Sequence, residues 1–129
     1  MKQKTNYVDG FVLVVPKKHL VAYKKMAKMG EKMWKKYGVL DYKECVGDDM
    51  KPDTMGMPML TFPKLTQCKP SEVVVFSYIT YTSKAHRDSV NKKVMKDPFM
   101  DPEKHPEMKE MPFDMKRFAH GGFTVIVGA

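Results

Sequence analysis

The residues 85–91, AHRDSVN, hold His86, Arg87, Asp88 and Asn91 within six positions, a group with the composition of a phosphoryl-transfer centre. A kinase catalytic loop places its metal-binding Asn five residues after the catalytic Asp. Here Asn91 follows Asp88 by three, no glycine-rich phosphate loop is present, and the chain has 129 residues. Kinase chemistry is excluded. Read as a helix, the stretch puts Val90 and Val94 on an apolar stripe with His86 and Arg87 at its edges. Asp88 then points to solvent between Lys84 and Lys92. Arg87 and Asn91, four apart, could together fix a loop or a carboxylate.

A second set of reactive groups interrupts apolar strands. Asp9 shares a strand face with Tyr7 and Phe11, Ser77 with Val75 and Ile79, Glu44 with Tyr42 and Val46, and His120 with Phe118 and Thr124. A polar group on such a face needs a partner once buried. Asp9 with Arg87 or Arg117 would make an ion pair; His120 with Glu44 or Asp9 would make an acid–base pair in a pocket. No Ser-His-Asp order, zinc-ligand spacing or dinucleotide fingerprint occurs, so no metal and no cofactor is expected. Met55, Met57 and Met59 alternate in MGMPM, a soft-metal pattern in principle. With no Cys or His in that run, gap-filling methionines in a loop are expected instead.

The elements that must carry these groups are legible from patterning. Tyr7–Val15 reads as a strand apolar on both faces. Pro16–Tyr37 reads as a helix, with Leu20, Tyr23, Ala27, Gly30, Trp34 and Tyr37 on one stripe and lysines opposite. Leu40–Asp48 reads as a strand. Residues 49–71 read as a proline-rich loop with an extended piece near Leu60–Leu65. Glu72–Tyr81 reads as a strand, and Lys84–Lys96 as a helix capped by Ser83. Phe99–Asp114 reads as irregular, and Lys116–Val127 as the last strand, with a bulge or a close backbone approach at Gly121–Gly122.

This β-α-β-β-α-β order is the ferredoxin-like pattern, an α+β fold with a four-stranded antiparallel sheet and both helices on one face. One domain over residues 1–129 is expected. The first and third strands are apolar on both faces, so the face opposite the helices also needs cover. The simplest cover is the same sheet of a second copy, which makes a homodimer the expected partner.

Composition narrows the function classes. A hydrophobic fraction of 43% with 11% aromatics suits a packed core rather than disorder. No apolar run approaches the roughly 20 residues that span a bilayer, and no export signal is visible, so a cytoplasmic protein without membrane contact is expected. Cys45 and Cys68 are then expected to be unpaired. The net charge of +8 admits a polyanion or RNA partner through the Lys face of the first helix. Only Arg87 and Arg117 are arginines, however, and phosphate recognition favours that planar fork, so nucleic acid is not the expected partner.

Four stretches carry a resemblance: YVDGFVLVVPKKHLVAYKKMA at 7–27, SKAHRDSVNKKVMKDP at 83–98, MPFDMKR at 111–117 and GGF at 121–123. In this order they resemble the YbaA-like bacterial family of uncharacterised domains. The shared pattern falls on Tyr7, Asp9, Gly10, Ser83, Arg87, Asp88, Asn91, Asp97, Pro98, Pro112, Phe113, Asp114, Arg117, Gly121 and Gly122, and leaves out His86. The resemblance implies a ferredoxin-like fold of the dimeric α/β-barrel superfamily, and implies no reaction. Relatives in that superfamily include cofactor-independent monooxygenases and isomerases, so an enzyme enters by analogy alone. The expected function is a small organic ligand bound between sheet and helices. Asp9, Arg87, Asn91, Asp114, Arg117 and His120 are the candidate pocket residues.

Overall fold

The computed structural model describes residues 4–101, 103–104 and 111–128. Its elements are β1 (Tyr7–Pro16), α1 (Leu20–Lys36), β2 (Asp41–Val46), α2 (Phe62–Thr66), β3 (Glu72–Tyr81), α3 (Lys84–Lys96) and β4 (Ala119–Thr124). Short 3-10 turns at Lys17–His19, Pro98–Met100 and Met115–Arg117 connect them. The irregular stretch expected at Phe99–Asp114 lies partly outside the described residues. No helix among the described residues is long and apolar enough to cross a membrane.

The strands form one antiparallel sheet in the order β2-β3-β1-β4. β1 and β3 are central because their β-branched runs suit a strand flanked on both sides. Val14, Val15 and Val75 are fully buried. Each such side chain stabilises by about 1.5–3 kcal/mol.

One sheet face carries Tyr7, Asp9, Phe11, Leu13 and Val15 of β1 opposite Tyr81, Ile79, Ser77, Val75 and Val73 of β3. Against it α1 packs Tyr23, Ala27 and Met33, and α3 packs Val90 and Val94. Ser83 caps α3 by accepting from the His86 amide at 3.0 Å. Asp97 ties the C-terminal ends of the two helices. Its carboxylate accepts from Lys36 at 2.7 Å and Tyr37 at 2.6 Å.

The other face presents Val8, Gly10, Val12 and Val14 against Thr80, Tyr78, Phe76 and Val74. Phe62 and Leu65 of α2 lie beside its Val12, Val74 and Phe76. Phe76, and Phe123 of β4, are left 45% and 61% exposed, which marks this face as uncovered in the single chain.

Several expectations need correction. The first helix starts at Leu20, because Pro16 ends β1 and Lys17–His19 form a 3-10 turn, and the last strand ends at Thr124. Its register against β1 runs unbroken through Gly121 and Gly122, so no bulge forms; the close approach there is of Gly122 to the Tyr7 ring. Leu60–Leu65 is not extended: Thr61 caps a helical turn by accepting from the Lys64 amide, and Pro63 suits its first turn. The last strand starts at Ala119 rather than Lys116, because Asp114 caps the preceding 3-10 turn at the Lys116 amide, 2.9 Å away.

Candidate functional site

Three separate places receive the side chains singled out from sequence. The first is the Tyr7 end of β1. Asp9 is 1% exposed and accepts from Arg87 Nη1 at 2.8 Å. The Arg87 guanidinium also lies 5.1 Å from the Tyr7 ring centre and donates through Nε to Asp88 at 2.8 Å. Asp88 is therefore held by Arg87 rather than by Lys84 or Lys92. Burial pushes the Asp9 carboxyl above its ordinary value, and Arg87 and His120 pull it back only in part. Asn91 does not join this pair; its side-chain oxygen accepts from the Trp34 indole N–H at 3.2 Å.

The second place is the opposite end of β1, where Glu72 sits across from Pro16. Arg117 meets both Glu72 oxygens, at 2.9 and 2.7 Å, and also reaches Asp114 at 2.9 Å and the Gln67 carbonyl at 2.9 Å. Arg117 holds the Glu72 carboxyl down at about 2. All of its directed bonds go to the protein's own oxygens, which is the arrangement of a clasp between α2, β3 and β4. Asp114 and Arg117 thus come together, but at the other end of β1 from Asp9 and Arg87. His120 is exposed on the β4 edge, where it stacks on Phe11 at 4.5 Å between ring centres.

The third place lies between α1 and the sheet. Glu44 projects from β2 towards α1, directly across from Ser77 of β3. Tyr23 of α1 donates to Glu44 Oε2 at 2.7 Å, and Tyr42 of β2 donates to Oε1 at 3.1 Å. Burial raises the Glu44 carboxyl above its ordinary value, while the Tyr23, Tyr42 and Ser77 hydroxyls lower it in part. Burial and the neighbouring Glu44 charge push both phenols well above the normal tyrosine range, so they stay protonated donors. Gly30 makes room for this cluster: a Cβ there would stand 2.9 Å from the Tyr42 hydroxyl.

Glu44, Tyr23 and Tyr42 form the wall shared by two chambers. The inner cavity, of 270 Å³, is lined by Phe11, Met26, Trp34, Met100, Phe113 and Phe118, among others. Among the described residues Glu44 is its one carboxylate. The outer cavity, of 540 Å³, opens between α1 and β2 past Lys24, Lys28 and Lys43. An apolar hollow with a few convergent polar groups is the usual form of a small-molecule site. Among the described residues, no group of three or more His, Cys, Asp or Glu side chains is placed to hold a metal ion.

In the sequence Glu44 and Ser77 stand as polar interruptions and Tyr23 and Tyr42 as apolar-face residues, with nothing to join them and with His120 as the expected partner of Glu44. The described hydrogen bonds of the Glu44 side chain instead go to the two tyrosines. The signal that was present is the alternation Tyr42-Lys43-Glu44, which puts a hydroxyl and a carboxylate two apart on one strand face.

Comparison with known proteins adds kinship. A family model described as "Protein of unknown function (DUF1428)" matches residues 6–115. The chain is 41% identical over 125 residues, 94% of its length, to proteins named "Uncharacterized protein YbaA" from Escherichia coli (strain K12) and from Shigella flexneri, and covers 97% of each. A crystal structure titled "putative amidohydrolase/peptidase" from Burkholderia cenocepacia overlays on 96% of this chain with TM-score 0.32 and 11% identity. The chain spans 28% of that protein's length.

Proposed function

The chain belongs to the DUF1428 family of proteins of unknown function, and from that premise we propose that it binds a small organic ligand between sheet and helices. The observation that carries this reading is the inner cavity. Its 270 Å³ lies near the lower bound of about 300 Å³ for small-molecule sites, and its walls are aromatic and methionine side chains around one carboxylate. Methionines suit such a wall because they repack around different shapes.

The proposal includes the frame. The chain acts as one ferredoxin-like domain of the dimeric α/β-barrel kind, as a homodimer in the cytoplasm. The strand order β2-β3-β1-β4, all antiparallel, supports the fold assignment. The uncovered face with Phe76 and Phe123 supports the dimer, since a second copy of the same face would bury both rings. Cys45 and Cys68 stand as free thiols, which suits a reducing compartment.

Trp34 is the sole tryptophan and lines the cavity, so its indole N–H gives one isolated NMR signal from the site. Titrating the 15N-labelled protein with small aromatic compounds is expected to shift that signal saturably. An indole signal unmoved by any of them at millimolar concentration would remove the ligand-site reading.

A further inference from the structure

We infer that the cavity selects neutral ring compounds bearing an O–H or N–H donor, which Glu44 accepts, and rejects carboxylates. The inference rests on the cavity being a ligand site and names the class of ligand it takes.

The argument is one of matching groups. A carboxylate offers about four acceptor positions. Tyr23 takes one on Oε2 and Tyr42 takes one on Oε1. At least one acceptor position is therefore open in the wall of an otherwise apolar chamber. Tyr23 donates to Glu44, and Tyr42 donates to Glu44 at 3.1 Å with the Ala27 carbonyl 3.5 Å away, so the polar wall presents acceptor capacity to an entering molecule.

Charge then sets the exclusion. A ligand carboxylate would bring a second negative charge to the buried side of Glu44 with no described cation lining the inner chamber. A neutral donor does not meet that barrier. Burial makes Glu44 more basic than an ordinary glutamate, which strengthens the hydrogen bond it accepts.

Phenol, toluene and benzoate separate the possibilities, with the Trp34 indole signal as readout. Phenol is expected to bind about tenfold more tightly than toluene, the value of one hydrogen bond to a charged acceptor. Benzoate is expected to leave the signal in place. In Glu44→Gln, a variant of the same shape, the phenol preference is expected to fall several-fold and benzoate to begin to bind. Equal affinity for phenol and toluene in the wild type would overturn the inference and leave the cavity as a site. So would a Glu44→Gln protein that keeps the phenol preference and still excludes benzoate. If none of the three compounds moves the signal, the cavity reading itself falls.

Discussion

Replacing Arg87 by alanine tests the buried pair most sharply. Asp9 has a side chain 2% exposed and Arg87 one 16% exposed, with 2.8 Å between them. Removing the cation leaves a carboxylate in the core with its charge uncompensated, which costs roughly 3–5 kcal/mol. That is a large part of the roughly 5–15 kcal/mol by which a domain of this size is stable. For a domain between the two usual size classes, the melting temperature is expected to fall by about 10–20 °C.

The dependence on pH identifies the cause. The folded-state pKa of Asp9 is already raised by burial, so its contribution to stability is complete below the ordinary value of 3.8 and is lost as pH rises through the folded value. Without Arg87 the folded value rises further. The deficit of Arg87→Ala is therefore expected to be small near pH 4 and full near pH 7. Adding Asp9→Asn should recover much of it at the higher pH. Urea denaturation followed by circular dichroism at both pH values measures this. A deficit under about 1 kcal/mol near pH 7, the range of an exposed pair, would refute the buried-charge account, as would an equal deficit at both pH values.

Three further outcomes are expected. Glu72 is depressed from 4.5 to about 2 by Arg117, so its contribution is present above 4.5 and lost as pH falls through 2. Glu72→Gln should remove on the order of 2 kcal/mol near neutral pH and flatten acid unfolding in that window, read by circular dichroism during acid titration. Gly30→Ala gains up to about 1 kcal/mol of helix propensity but drives a methyl against the Tyr42 hydroxyl 2.9 Å away. The melting temperature should change little while phenol affinity at the Trp34 signal drops several-fold. Phe76→Lys with Phe123→Lys should convert a dimer to a monomer by light scattering, because both exposed rings would lie in the shared face. A wild type that is already monomeric at high concentration would refute that arrangement.

The legible parts of the fold were those with local causes. β3 at Glu72–Tyr81 and α3 at Lys84–Lys96 match the patterned runs residue for residue, since a β-branched stretch and a serine cap act within a few positions. The start of β4 was misread because Arg117 and Asp114 serve the clasp to Glu72, a contact across 45 residues that periodicity does not encode. The turn at Phe62–Thr66 is hidden because the prolines of the surrounding loop read as extension, although Thr61 and Pro63 also spell a helix start.

The candidate pocket residues were recognised by type but not by meeting place. Asp9 and Arg87 gather at one end of β1, Asp114 and Arg117 at the other, and Asn91 is occupied by Trp34. The cavity is instead centred on Glu44, whose partner Tyr23 lies 21 residues away on α1. Only the docking of α1 on β2 creates that contact.

The central claim is that the cavity takes a neutral donor on Glu44. A crystal structure of the protein soaked with phenol addresses it directly. The expected result is the ring beside Trp34 and Phe113, with its hydroxyl about 2.5–3.0 Å from a Glu44 carboxylate oxygen. A phenol seated in the cavity with its hydroxyl turned away from Glu44, or density for it only elsewhere on the molecule, would contradict the account.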